Sequence, residues 1–390
     1  MNDWIDLGAQ AIAGSADDAI AALVDISSPS GDASAAEAVV EAVIAMLPPE
    51  VSIERVPCSS PDHADDLVVR LYGSGSGRML LVGHVDTVVA HDAHEPLRVD
   101  DDKLVGSGSV DMKAGDVVAV GVLRALASRR EDFAQVALLM VCDEEWRLGE
   151  FTHVERFAGF DACLCFEAGQ MDEDGRDAVV LRRKAAGALR ITATGRSAHS
   201  GVAPERGINA LLALAAVAEA TAACNDPAGP DRLTVVPTVL HAGDALNVVP
   251  AFGELICDVR ADRVEAFDRV LAAVPAEVGG AVLNAENLRR WPGMDHRESM
   301  APVLEEASDV LGREIVGTQR GGASDASHFA ATVPLCVDGL GPIGGLAHAP
   351  GEFVLRDSVL GRSEVALAIA DALLARFRGD VLYTAAQPKT

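Results

Sequence analysis

Two side chains that resist burial, His84 and Asp86, close the otherwise apolar run "LLVGHVDTVVA" at residues 80–90. Met79, Leu80, Leu81 and Val82 just before them read as a buried strand, in which residues two apart point to the same side. An imidazole that ligates a metal through one ring nitrogen commonly donates from the other to a carboxylate. The pair suits that chemistry, and it equally suits a plain His–Asp hydrogen bond at a strand end. Four more clusters bear on the choice: Asp111 in "GSGSVDMKAGD", Asp143, Glu144 and Glu145 in "VCDEEW", Glu167 in "CFEAG", and His348 in "GLAHAPGEFV". Singly, each has a bland explanation as a helix cap, a strand exit or a surface acid. Together they offer two His and several carboxylates, more acid than one zinc neutralises and suited to two ions sharing a bridging carboxylate.

The elements that must position these groups are legible. Apolar runs of strand length ("DLVVRLYG", "RMLLVGHVD", "QVALLMVCDEE", "DACLCFEAG") alternate with helical patterns such as "KAGDVVAVGVLRALASR". Hydrophobicity on both sides predicts an α/β fold with a mainly parallel sheet covered by helices. The pattern fills the chain to about residue 185 and returns after 296 with "PLCVDGLG" and the long helix of "DSVLGRSEVALAIADALLARF". Between them, 186–296 reads as strand-helix-strand-strand-helix-strand, the order of a ferredoxin-like α+β sandwich inserted into the first domain. Each candidate ligand then falls at the carboxyl end of a strand or in a loop beside it, where open α/β sheets build their sites.

At 390 residues the chain is long enough for two cores, which rarely grow past about 250–300 residues each. Acidic residues outnumber basic ones 59 to 32, for a net charge of -27, which argues against binding nucleic acid or an anionic membrane surface. An anionic small substrate would need a local cluster of Arg or His. The seven Cys include no CxxC and mostly sit in apolar runs, as expected of thiols in a reducing compartment. Cys163 and Cys165 share a strand face, and a core role suits them better than metal binding. "MNDWIDLGAQ" lacks the basic and apolar regions of a signal peptide, and no stretch reads as a membrane span, so a cytoplasmic protein is expected.

The ordered set "GHVDTV", "GSGSVDMKAG", "CDEEW", "FEAG", "GRSAHSGVAPERGINAL", "NVVPAFGELICDVR", "GGASDASHF" and "AHAPGEFV" resembles the dizinc amidohydrolases that include glutamate carboxypeptidase (carboxypeptidase G), acetylornithine deacetylase and succinyl-diaminopimelate desuccinylase. The resemblance implies a zinc-exopeptidase-like catalytic domain in two parts, 1–185 and 297–390, and a lid and dimerisation domain at 186–296. It implies two Zn2+, with Co2+ or Mn2+ able to substitute. His84 and Glu167 would hold one ion, Glu145 and His348 the other, and Asp111 would bridge them. Asp86 would orient His84. Glu144 would be the general base, acting on a water between the ions, and His199 would steady the oxyanion, often from the partner subunit of a homodimer. Asn247 and Arg260 would hold polar groups of the substrate, an N-acyl amino acid or short peptide, and Arg289 would clamp its carboxylate. Composition does not choose between His328 and His348 as ligand; the order of the motifs favours His348. Two departures from the pattern, Ala168 where Pro is usual and "DEEWRLGEFTHV" without a small turn after the paired Glu, bear on specificity more than on chemistry.

Rival readings are weaker. "GLGPIG" at 339–344 matches GxGxxG, but no helix follows to receive a pyrophosphate. Ser200 beside His199 lacks any GxSxG elbow. A catalytically inactive metal-binding scaffold is the remaining alternative, and the presence of Glu144 and Asp86 counts against it.

Overall fold

The structure is a computed structural model and describes residues 3–379. Its central sheet has six strands, in spatial order Ser52–Val56, Asp66–Tyr72, Gln135–Val141, Arg78–His84, Ala162–Cys165 and Leu335–Val337. The first two pairings are antiparallel and the other three parallel, so the sheet is mixed, with the candidate ligands on its parallel half. Met79 and Leu81 enter one apolar core and Leu80 and Val82 another on the opposite face. Burial on both sides is why the strand reads as an unbroken apolar run. Burying each such side chain contributes roughly 1.5–3 kcal/mol, so polar residues are displaced to where the strand ends.

The helices Asp3–Val24, Ala114–Leu126 and Ser358–Arg378 belong to the larger core. Gly115 lets the second of these begin hard against the sheet: a Cβ there would sit 1.9 Å from the carbonyl oxygen of Phe166. Met1 and Asn2, in the opening stretch read for a leader, lie outside the described residues. Among the described residues no helix is long and apolar enough to cross a membrane.

A second sheet is antiparallel throughout, in the order Thr234–Ala242, Phe252–Ala261, Ala185–Thr194, Ala281–Trp291, Glu277–Val278. With the helices Ala210–Ala222 and Phe267–Ala272 it encloses a separate core of Leu189, Ile191, Leu214, Val217, Leu255 and Phe267. Burial alternates along Phe252–Ala261, the mark of a sheet covered on one face.

The sequence reading does not anticipate one pairing that matters for the site. Asp177–Arg183 runs parallel to Ile315–Arg320, with Arg183 and Arg320 as register partners.

Candidate metal centre

His84 ends its strand, Glu144 and Glu145 follow the neighbouring strand Gln135–Val141, and Glu167 follows Ala162–Cys165 on the other side. The register aligns His84 with Val141 and Val82 with Cys165, so three adjacent parallel strands release their polar residues at one edge. Asp111 comes from the irregular turn Ser109–Lys113, entered through Gly108 at φ 74, with a cis peptide between Asp111 and Met112. His348 comes from a surface loop and itself has φ 65.

Nε2 of His84 lies 3.2 Å from Oδ1 of Asp111 and 3.9 Å from Oε1 of Glu167. Nε2 of His348 lies 3.0 Å from the other Asp111 oxygen and 3.2 Å from Oε1 of Glu145. Two trios result, His84–Asp111–Glu167 and Asp111–Glu145–His348, each with its ligand atoms within 4.8 Å of one another. Asp111 belongs to both, one oxygen turned to each imidazole.

The residue behind this set is Asp86, fully buried beside His84. Nδ1 of His84 is 3.1 Å from the Asp86 carbonyl oxygen and 3.3 Å from its carboxylate. The same carboxylate accepts from the backbone N–H groups of Glu144 at 3.2 Å and Glu145 at 3.1 Å. One side chain therefore orients an imidazole and fixes the turn that carries two acids.

Carboxylates about 4 Å apart repel by roughly 4 kcal/mol at an effective dielectric of about 20, so a group this acidic needs positive charge. Burial pushes Glu144 well above the usual carboxylate range, with Asp325, Glu167 and Glu145 adding to it against the pull of His84. Glu167 is pushed up to about 8 by burial and by Asp111. Burial opposes ionisation of Asp111 too, but its bonds to His348 and His84 win and hold it below the usual range. His348 is raised to about 10 by Asp111 and Glu145. The imidazolium protons stand where divalent cations would do the same work. Oε1 of Glu145 is buried and accepts no hydrogen bond in usable geometry although His348 is near, as two ligands facing one ion would be. Imidazole nitrogens with carboxylate oxygens suit zinc, and do not distinguish it from cobalt or manganese.

His328 does not join this group. It is buried in the short helix Ala326–Phe329, its ring 4.7 Å from Phe151 and 4.9 Å from Trp291. Burial, with Arg147 and Arg289 nearby, keeps it neutral.

The cleft over the ligands has a volume of about 470 Å³ and takes in Glu144, Arg260, Arg289 and Trp291. Arg289 stacks on Trp291, its guanidinium 4.0 Å from the ring centroid, and Nη2 reaches the Glu144 carbonyl at 3.5 Å. Arg260 is bound to Asp258. His199 and Asn247 are not among the residues lining the cleft; both are exposed on adjoining loops of the antiparallel unit, where the Ser200 N–H donates to the Asn247 carbonyl. A larger apolar groove of about 600 Å³ between helices Asp3–Val24 and Ala114–Leu126 contains no His, Cys or Glu, so the chemistry belongs to the smaller cleft.

Two residues that brace the site are among those that escape the sequence reading. Glu352 shows there only as trailing the His348 loop, yet its carboxylate accepts from the N–H groups of Gly108, Val110 and Asp111. Arg147, wholly buried, bonds Asp143 at 2.8 Å and also Asp325, and lies over Phe151 and Trp291. Its place in "DEEWR", where the related motif has a small turn, is the available signal.

Comparison with known proteins agrees with this geometry. The sequence pattern of peptidase family M20/M25/M40 matches residues 80–372. The chain is 28% identical to carboxypeptidase G2 of a Pseudomonas strain over 71% of its own length and 69% of that protein's. It is 26% identical to acetylornithine deacetylase of Edwardsiella ictaluri over 74% of its length and 78% of that protein's. The Bacillus subtilis YXEP protein, a dinuclear metal binding peptidase from the M20 family, shares the fold at a TM-score of 0.66 and 15% identity, over 94% of this chain and 99% of that one. The chain therefore belongs to peptidase family M20/M25/M40 and is a metal-dependent hydrolase of amide bonds.

Proposed function

We propose that this protein is a glutamate carboxypeptidase-like amide hydrolase that cleaves an N-acyl amino acid or removes a C-terminal acidic residue, with zinc in both sites. The observation that carries the reading is the sharing of Asp111 between two ligand trios with Glu144 alongside. His84, Glu167 and Asp111 would hold one ion, and Asp111, Glu145 and His348 the other. When bound, the ions supply Lewis acidity to the scissile carbonyl and to the attacking water. Glu144, buried beside the ligand set, takes the proton from that water and returns it to the leaving amine. Asp86 keeps His84 in the tautomer that presents Nε2. Arg289 receives the carboxylate of the leaving amino acid, and Arg260 borders the same pocket.

His199 and Asn247 serve as oxyanion and substrate ligands from the partner subunit of a homodimer, which is consistent with their exposure in the single chain. The unit 186–296 acts as lid and dimerisation domain on a catalytic body formed by 1–185 and 297–390; exposed Val236 and Leu240 on its edge strand Thr234–Ala242, and Phe252 at the start of the strand beside it, fit a subunit contact. A cytoplasmic location accords with seven unpaired cysteines among the described residues.

The deciding experiment is elemental analysis of the purified protein together with hydrolysis of N-acetyl, N-succinyl and N-aroyl amino acids, with and without a chelator. Two bound ions and chelator-sensitive turnover are expected. Two bound ions with no turnover of any compound would instead favour a binding protein.

A further inference from the structure

Arg147, two residues after Glu145, has a side chain with no exposure to solvent, and a guanidinium that deep needs acids around it. Its Nη1 donates to Asp143 Oδ1 at 2.8 Å and its Nη2 donates to Asp325 Oδ1, so one side chain bridges two buried carboxylates. Its backbone N–H donates to the Asp143 carbonyl at 2.9 Å and closes the turn that carries Glu144 and Glu145. The second oxygen of Asp143 accepts from the Ser60 N–H at 2.8 Å.

The same guanidinium reaches the antiparallel unit. Its Cζ lies 4.4 Å from the ring centroid of Phe151 and 4.7 Å from that of Trp291, the last residue of strand Ala281–Trp291. Arg289 stacks on that Trp291 ring at 4.0 Å and brings Nη2 to 3.5 Å from the Glu144 carbonyl. Contacts therefore run from Asp325 through Arg147, Trp291 and Arg289 to Glu144. They lead from the body that holds the metal ligands, into the strand that presents the clamp, and back to the base. Asp86 holds the N–H groups of Glu144 and Glu145 independently, so the placing of the ligands does not rest on Arg147. Bridging two acids while lying against two rings takes a planar cation with donors at both ends, which lysine does not offer.

We propose that Arg147 is a positioning residue that sets the separation between the base Glu144 and the clamp Arg289, by docking Trp291 of the antiparallel unit on the turn that carries the base. The inference rests on the amide-hydrolase reading above. It goes beyond the family pattern, since "DEEWR" places arginine where the related motif has a small turn. A shift of about 1 Å between a base and a bound substrate costs about 10²-fold in rate. The loss falls on kcat when the contacts that bind the substrate are still made.

Two variants test this in the zinc-loaded protein with an N-acyl amino acid as substrate. Arg147→Lys keeps a cation without the fork; Arg147→Met combined with Asp325→Asn removes the cation together with one of the carboxylates it neutralises, so that no second buried charge is stranded. Both are expected to keep two ions, to lose kcat by roughly 10–100-fold and to change KM by less than about threefold. Arg147→Gly is expected to regain kcat in millimolar guanidinium chloride and not in methylammonium chloride. Because Arg147 acts through Trp291, Trp291→Leu together with Arg147→Lys should cost no more than the larger single change. Wild-type kcat in Arg147→Lys, loss of an ion, a rise in KM as large as the fall in kcat, or losses that multiply in the double variant each overturn the proposal.

Hydrogen exchange reads the junction without catalysis. In Arg147→Lys, peptides covering 143–151 and 286–292 are expected to exchange faster than in wild type, and the strand 78–84 at the same rate. Unchanged exchange over 286–292 overturns the proposal whether or not any compound is hydrolysed. Faster exchange there, in a protein that hydrolyses nothing, supports the docking of Trp291 by Arg147 and sinks the hydrolase reading alone.

Discussion

Glu352 holds Asp111 from behind: its Oε1 accepts from the backbone N–H groups of Asp111 at 2.9 Å and Val110 at 2.8 Å, while Oε2 accepts from Gly108 at 2.9 Å. The carboxylate thus gathers three donors of the irregular turn that presents the shared ligand. Replacing Glu352 with Ala would leave those buried N–H groups without acceptors, at about 1–3 kcal/mol for each that water does not reach. We expect Glu352→Ala to unfold at a lower temperature and to bind both ions more weakly, with Glu352→Gln intermediate. A wild-type melting curve and metal content in Glu352→Ala would contradict this.

The two histidines near the end of the chain separate by metal content. His348→Ala should lose about one equivalent of bound metal, since it belongs to one trio only. His328→Ala should keep both ions and show instead the destabilisation of an emptied site between Phe151 and Trp291. Elemental analysis of the two variants reads the difference directly, and the reverse pattern would exchange their roles.

Glu144→Gln tests the proton transfer apart from the metal ligands. Because Glu144 belongs to neither trio, the variant should retain both ions while kcat falls by about 10²–10⁴. Retention of kcat would remove Glu144 from the mechanism.

Metal loading should release protons. Without metal, His348 is raised to about 10 by Asp111 and Glu145 and Glu167 to about 8, so at pH 7 both carry protons that a bound cation must displace. Apparent metal affinity therefore rises as pH rises from 7 through 8 towards 10, where the competing protons have left. Zinc titration in buffers of different ionisation enthalpy at constant pH measures the release; a heat independent of the buffer would show that none occurs.

Much of this arrangement is readable in one dimension. The strands carrying His84, Glu145 and Glu167 announce themselves because apolar residues fill both faces and polar ones appear only where burial stops. The strand and helix order of the antiparallel unit is readable for a similar reason, one-sided burial leaving an alternation. The mixed character of the central sheet is not, since a strand's own pattern says little about its neighbour's direction. Nor is the job of Glu352, whose contact with Asp111 spans 241 positions, or the adjacency of Arg320 to Arg183, which arises from a strand pairing.

The residue types and their order along the chain were enough to imply a pair of cations, because charge, ligand chemistry and local periodicity are properties of short segments; the general base and the substrate-binding arginines were implied only by resemblance to the family. Only packing decided which imidazole reaches Asp111, which arginines go without a carboxylate, and that His199 and Asn247 stand apart from the cleft in a single chain. Coordination and ion pairing act over a few ångströms, and separations on that scale between distant segments exist only once the sheets and helices have assembled.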